Sequence, residues 1–582
     1  MQQTPSAGNG GSGPGIRAVR AHAAAGGLCV GSGVESGAES GVGSGVGSGV
    51  GSGVGSGVAC QGRIATATIA SLASPPMSPR PTPRARRSRA GGRPRLAGGL
   101  LLGAALVAGA LLRGWVLFHS SGLTMDSPLY VLMAEQWGHA RAPLGPAHHG
   151  YSALVALASL GVPGREWPGR IVSLAAGLLL IAVTWRLARG LLPARAAAAA
   201  AALVALHPLL ALSSGAVMTE STFQCLTYLA LLVLAGGRPA WGGGLLGLAY
   251  CVRPEAMVVA AAALPAVSPL KRRAVWLLAF ALAALPEVAM LSAEHHALTL
   301  TPKTNLVAAA GATQDDAEWH ATGAESLAAV PASPALARLG TALARAAARY
   351  PDRLKGQLKR VHQTWPAPLL LLSLIGMVIR PGPLLAPLAI LPVLPLLGVT
   401  PHLRYPQTMV PALAIFAAIG GAWLVGRLDP GRTRARGLAR GALALVLALG
   451  LGWCWRGPAG DALRRSEDGP TRAYRKAGRW LAEHGKPGAL VMDRKPYIPF
   501  FAGMPQALMP DDDYDALVDY AVRRGADYLV VEEYVMWTIR KQFIPLMTDP
   551  AFRARERRLR MIYFGREGPR TGIAIFEVTR AR

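Results

Sequence analysis

From residue 96 onward the chain keeps returning to one arrangement. An apolar run of Leu, Ala, Val and Gly is followed by a short connection, and arginine crowds every second connection. With 51% hydrophobic residues in 582 positions, and only 6% aromatic, so many separate runs do not belong to a soluble domain. The class is a polytopic α-helical membrane protein. The formal net charge of +28 would suggest a nucleic-acid partner in a soluble protein. Here much of the excess lies in short loops and in the N-terminal tail, as expected of cytoplasmic segments held by an anionic leaflet. No basic stretch is interleaved with base-stacking aromatics, which excludes nucleic-acid binding. Cys29, Cys60, Cys225, Cys251 and Cys454 form no metal-ligand or CxxC spacing, so no disulfide framework is expected.

Residues 1–95 read as a disordered tail. Its Gly-Val-Gly-Ser repeats around 41–58 cannot bury a core, and Arg80–Arg89 is rich in Pro and Arg. Translation starting at Met77 would leave only a short basic tail before the first span. The membrane domain is expected over 96–456, with about eleven spans of hydrocarbon-crossing character. They fall near 97–118, 169–188, 196–213, 221–235, 240–252, 256–269, 274–292, 366–379, 383–400, 406–426 and 438–455. Arg186, Arg189 and Arg195, then Lys271–Arg273, then Arg427–Arg440, place alternate ends on the cytoplasmic side. The N-terminus is then cytoplasmic, in the inner membrane of a bacterium. Long outer loops occupy 119–168 and 293–364. The first contains an amphipathic stretch, Tyr130–Trp137, and a semi-apolar piece, His149–Leu160, better suited to a re-entrant or interface helix. Residues 470–582 alternate helix and strand patterns, with strands expected at 489–492, 528–531, 561–564 and 572–578 and helices at 473–483, 514–524 and 537–547. This is a small α/β domain outside the cytoplasm.

Several charged residues collect at the outer ends of the spans. Asp126 follows the first span, where a carboxylate can take a proton from a hydroxyl, hold a metal, position a phosphate-linked donor, or simply cap a helix. Glu220 directly precedes an apolar helix; its bland role is an N-terminal acid favoured by the helix dipole. An unpaired charge drawn into hydrocarbon costs roughly 2.5–3.5 kcal/mol, so there it needs a partner or a task. Lys303 and Arg404 are cations on the outer side, against the positive-inside bias, where each could snorkel to headgroups or the two together hold an anionic ligand such as a lipid phosphate. Arg253 and Glu255 share one tight turn and read as a structural pair. His148 and His149 lack an i, i+4 ligand spacing, so no metal site is assigned.

Several short motifs run in order along this topology. They are Asp126 with Tyr130 and Ala134, His149-Gly150-Tyr151-Ser152, Gly169-Arg170-Ile171, Met218-Thr219-Glu220, Val252-Arg253-Pro254-Glu255, Arg404-Tyr405-Pro406, and, in the tail, Asp493–Tyr497 and Gly525–Val531. Over roughly 97–582 the chain resembles the membrane-embedded GT-C glycosyltransferases, within them the family 39 proteins related to protein O-mannosyltransferases and lipid A aminoarabinose transferases. The resemblance implies a hexosyltransferase-type enzyme using a polyprenyl-phosphate-linked sugar on the outer membrane face. The acceptor would be a protein, lipid or glycan. It makes Asp126 the base toward the acceptor, Glu220 its assistant in the cavity, and Lys303 and Arg404 the phosphate contacts. His149, Arg253, Glu255 and Tyr405 are further cavity candidates. Members often carry Asp-Glu where this chain has Asp126-Ser127, which keeps the base and weakens the case for a divalent metal; no cofactor is firmly implied. The alternatives are a transporter or flippase of lipid-linked saccharides, and a non-enzymatic membrane-anchored carbohydrate-binding protein. A transporter would place charges near the bilayer midplane in repeated halves, whereas these lie at one face.

Overall fold

The computed structural model describes residues 92–120, 122–123, 126–139, 147–295, 298–301, 351, 354–382, 384–390, 404–427, 433–465, 470–510, 512–538, 540–568 and 571–579. The tail before residue 92, Lys303 and the 391–400 part of the expected ninth span lie outside the described residues.

Ten helices lead the described chain: α1 (Gly92–His119), α2 (Ser127–Gly138), α3 (Gly150–Ser159), α4 (Trp167–Arg189), α5 (Ala194–Leu206), α6 (Pro208–Gly215), α7 (Thr219–Ala235), α8 (Pro239–Val252), α9 (Glu255–Ala263) and α10 (Leu270–His295). α1 begins at Gly92, inside the segment expected to be disordered. Arg is a good helix former and a proline is tolerated in the first turn, so the apolar helix extends back through Arg95 and Pro94.

Five helices are long and apolar enough to cross a membrane, and up to seven spans result if each of two bent pairs counts as one. The protein is a multi-pass membrane protein, with fewer full-length spans than the expected eleven among the described residues. α7, α8 and α9 have 17, 14 and 9 residues. At 1.5 Å per residue they reach only about 26, 21 and 14 Å, short of the roughly 30 Å of hydrocarbon. Prolines at the starts of α8 and α9 and Gly236-Gly237 after α7 set those lengths.

The expected third span is a bent pair, α5 and α6, angled by 57°. Pro208 opens α6 and cannot donate a backbone hydrogen bond, which frees carbonyls at the end of α5. Buried Arg113 of α1 answers them: it donates to the Ala205 carbonyl at 2.7 Å and to that of Val204 at 3.4 Å. Elsewhere glycines let helices touch backbone to backbone. A side chain at Gly247 of α8 would strike the Phe280 carbonyl of α10, and one at Gly376 would strike that of Phe416.

The C-terminal α/β domain carries a sheet in the order β2-β1-β3-β5-β4, built from β1 (Val491–Asp493), β2 (Gln506–Leu508), β3 (Tyr528–Glu532), β4 (Leu559–Arg566) and β5 (Gly572–Val578). β1 is parallel to β2 and β3, while β5 is antiparallel to both β3 and β4. Alternation sends Val491, Tyr528, Val530 and Ile575 to one face, against Ala477 and Leu481 of helix Pro470–His484. Met492, Leu529, Val531 and Phe576 go to the other, against Leu517 and Ala521 of helix Tyr514–Arg524. The expected helix over 537–547 is instead two short helices, Glu533–Thr538 and Ile544–Thr548, because Pro545 begins a new turn.

This domain is docked on the first loop region. Thr471 donates to the Leu123 carbonyl at 3.0 Å, Arg475 pairs with Glu166 at 3.0 Å, and Arg165 donates to the Phe500 carbonyl at 2.9 Å with its guanidinium 4.1 Å from the Phe500 ring.

Candidate active site

The loop that bears Asp126 is fixed before any ligand is considered. The Val217 amide donates to the Gly122 carbonyl at 2.9 Å, and the Ser127 hydroxyl donates to the Val217 carbonyl at 2.8 Å. These bonds tie the loop to the connection between α6 and α7. Gly122 has φ +71°, and a side chain there would run into the Arg170 guanidinium. Arg170, at the start of α4, donates to the Gly215 carbonyl at 3.0 Å and to that of Leu117. One buried guanidinium thus fastens the ends of α1 and α6 beneath the Asp126 loop.

Asp126 is the N-cap of α2, with a side chain 21% exposed. Its two oxygens face two cations from distant parts of the chain. Arg404 Nη1 lies 2.7 Å from Oδ2, and Lys495 Nζ lies 3.8 Å from Oδ1. Lys495 comes from the C-terminal domain, just beyond β1, and is 3% exposed. Burial pushes its ammonium down to about 8, opposed by the nearby Asp126 carboxylate. Burial also works against the charged form of Arg404, yet Asp126, with Tyr405 and Glu220, holds it well above its usual value. Tyr405 lies under that guanidinium, 5.4 Å from ring centre to carbon.

A second ion cluster adjoins the first. Because α7 and α8 form an antiparallel hairpin, the start of one and the end of the other lie at the same level. Arg253, just after α8, is therefore 2.7 Å from Glu220 in the first turn of α7, and 2.7 Å from Glu255. Arg253 is more than the partner of its own turn: it neutralises the buried Glu220. Tyr130, one turn into α2, stands among all of these groups. Its phenol is held above its ordinary value by burial first, then by Asp126 and Glu220, with Arg253 and Arg404 opposing.

His149 belongs to a different buried set. Its ring lies 3.0 Å from Glu287 of α10, and its backbone N–H donates to the same carboxylate at 3.1 Å; His148 is 3.2 Å from it. Among the described residues no group of three His, Cys, Asp or Glu side chains is arranged to hold a metal ion.

No family model matches the sequence, and no curated protein matches it. Solved structures match it in shape. ArnT from Cupriavidus metallidurans in the apo state superposes with a TM-score of 0.50 at 14% identity, over 83% of this chain and 98% of that one. The same protein bound to undecaprenyl phosphate gives 0.49 at 14% identity, over 82% and 97%. The Archaeoglobus fulgidus oligosaccharyltransferase tethered with an acceptor peptide gives 0.51 at 13% identity, over 83% of this chain and 74% of that one. The chain has the GT-C fold.

Within this GT-C fold, five of the residues singled out from sequence, Asp126, Glu220, Arg253, Glu255 and Arg404, gather at one end of the helices. Asp126 meets Arg404, and Glu220 meets Arg253. Two groups escaped the sequence reading. Lys495 belongs to the Asp493–Tyr497 motif of the C-terminal domain, and nothing in that motif ties it to Asp126. Glu287 sits inside an apolar span, and a lone acid there was the signal available to find it.

Proposed function

We propose that the protein is a glycosyltransferase that moves a sugar from a polyprenyl-phosphate donor to an acceptor hydroxyl, with Asp126 as base. The observation that carries this reading is the Asp126 carboxylate bracketed by Arg404 at 2.7 Å and Lys495 at 3.8 Å at the ends of the membrane helices. In the reaction the acceptor oxygen bonds to the anomeric carbon as the bond from that carbon to the phosphate oxygen breaks. Asp126 accepts the hydroxyl proton, the bonding pair of the broken bond goes to the leaving phosphate, and the two cations stabilise its growing negative charge. Attack opposite the phosphate inverts the anomeric centre.

The same cations serve both stages. Before the donor arrives they neutralise Asp126; a phosphate competing for them releases the carboxylate and raises its basicity. Glu220, held by Arg253, keeps a second negative charge near Arg404 and so favours its protonated form. Undecaprenyl phosphate, the lipid bound by the ArnT of matching fold, is the kind of lipid phosphate that a donor of this class leaves behind once its sugar has been transferred. Within GT-C, the order of motifs favours a family 39-like, hexosyltransferase-type enzyme. The arginine-rich connections favour a bacterial inner membrane, with the N-terminus inside and the α/β domain outside.

The test is transfer of radiolabelled sugar from undecaprenyl-phosphate donors by protein in nanodiscs. Asp126→Asn, which keeps the shape of the side chain, is expected to lower the rate by about 10²–10⁴-fold without changing the elution volume or melting midpoint. Undiminished transfer by the folded variant would rule Asp126 out as the base.

A further inference from the structure

Tyr130 lies one helical turn beyond Asp126 on the same side of α2, and its backbone amide donates to the Asp126 carbonyl at 3.4 Å. Its ring meets the Tyr151 ring edge to face, with 5.3 Å between centres and 82° between planes. Tyr151 is itself immobilised. It is fully buried, its hydroxyl donates to the Gly169 carbonyl at 3.0 Å and lies 2.8 Å from the Ser173 hydroxyl, and Ser173 donates to the Met218 carbonyl at 3.1 Å. Met218 is the N-cap of α7, two residues before Glu220. This run of contacts fixes where Tyr130 stands against both ion clusters.

The two tyrosines differ at their tips. Tyr130 is half-buried, and its hydroxyl makes no hydrogen bond among the described residues, whereas that of Tyr151 has two partners. The charges that act on Tyr130 are two carboxylates, Asp126 and Glu220, and two guanidiniums, Arg253 and Arg404. A phenol ordinarily ionises near about 10, and burial moves this one higher. The group is therefore a neutral hydroxyl around neutral pH, with a proton to donate and lone pairs to accept with.

That placement divides a lipid-linked sugar between two parts of the site. Its phosphate is drawn to Arg404 and Lys495, which come together on Asp126. At Tyr130 an anion gains little, because each guanidinium there is answered by a carboxylate. A neutral hydroxyl of the ligand loses nothing to that balance and gains a hydrogen bond. One helical turn, about 5.4 Å, separates the Asp126 and Tyr130 backbones, close to the width of a sugar ring. We propose that Tyr130 recognises the sugar of the donor: its hydroxyl bonds a ring hydroxyl while the phosphate rests on Arg404 and Lys495. The inference rests on the donor class given above. It adds the group that tells a sugar-bearing lipid from the bare lipid phosphate left after transfer.

Equilibrium binding of radiolabelled lipids to the full-length protein in nanodiscs tests it. The probes are undecaprenyl phosphate and its glucose, mannose and N-acetylglucosamine derivatives. The wild type is expected to bind at least one glycosylated lipid more tightly than undecaprenyl phosphate. Tyr130→Phe, which removes only the hydroxyl, should weaken that lipid about three- to tenfold and leave undecaprenyl phosphate unchanged. In the wild type, one deoxy analogue of the same sugar should lose the same factor, and Tyr130→Phe should bind that analogue and its parent equally. The deoxy series on the wild type decides the matter if the variant does not reach the wild-type melting midpoint. A loss shared by both kinds of lipid would make Tyr130 a structural support, and no loss from the variant or from any deoxy analogue would remove it from the sugar; either result overturns the proposal. A wild type that binds undecaprenyl phosphate as tightly as every glycosylated lipid overturns it while sparing the phosphate site. Failure to bind any of the four lipids would overturn the donor class and the inference with it.

Discussion

At Lys495 the geometry ties activity to pH. Burial lowers its ammonium to about 8, so the charge is complete below that value and lost as pH rises through it. A phosphate donor bound by Arg404 and Lys495 should therefore bind with full affinity on the acid side, and its KM should climb above about pH 8. Lys495→Arg keeps the charge throughout and should flatten that limb, whereas Lys495→Met should lower kcat/KM by about 10²-fold at neutral pH. Donor titrations from about pH 7 to 10 check both; a wild-type profile identical to that of the arginine variant would remove Lys495 from the phosphate site. Residue by residue, the cluster that forms the candidate site was partly legible. Asp126, Glu220, Arg253 and Arg404 stand out because a charge at the end of an apolar run is conspicuous. Lys303, expected as a phosphate contact, lies outside the described residues. The lysine that does reach Asp126 arrives through tertiary docking, which no local pattern encodes.

Among the elements, the break between α5 and α6 shows how a buried charge can be structural. Arg113 donates to carbonyls that Pro208 leaves unpaired. Arg113→Met should strand them, costing about 1–3 kcal/mol and lowering the thermal midpoint in detergent while leaving the donor KM unchanged. A midpoint equal to the wild type would show that those carbonyls find other partners. Elements with strong periodicity were legible: α4, α10, helix Tyr514–Arg524 and β5 lie where the pattern puts them. β2, three residues after Pro505, is too short to show alternation and was missed. α7, α8 and α9 form on the apolar runs expected there, as helices of 17, 14 and 9 residues.

For the whole molecule, Lys495 of the C-terminal domain reaches Asp126 at the ends of the membrane helices, and topology decides which side of the membrane the proposed site faces. The arginine-rich connections predict that Glu483, exposed on the C-terminal domain, and Arg238, exposed between α7 and α8, face opposite sides of the membrane. In intact cells a membrane-impermeant maleimide should label Glu483→Cys, and Arg238→Cys only after permeabilisation; the reverse pattern would turn the site to the cytoplasm. The most direct test of the account is a structure of the full protein with a polyprenyl phosphate bound. The account predicts phosphate oxygens about 3 Å from both Arg404 and Lys495, with the Asp126 carboxylate released from Arg404 and turned toward the space left for an acceptor. A phosphate seated away from these cations, with Asp126 still paired to Arg404, would contradict it.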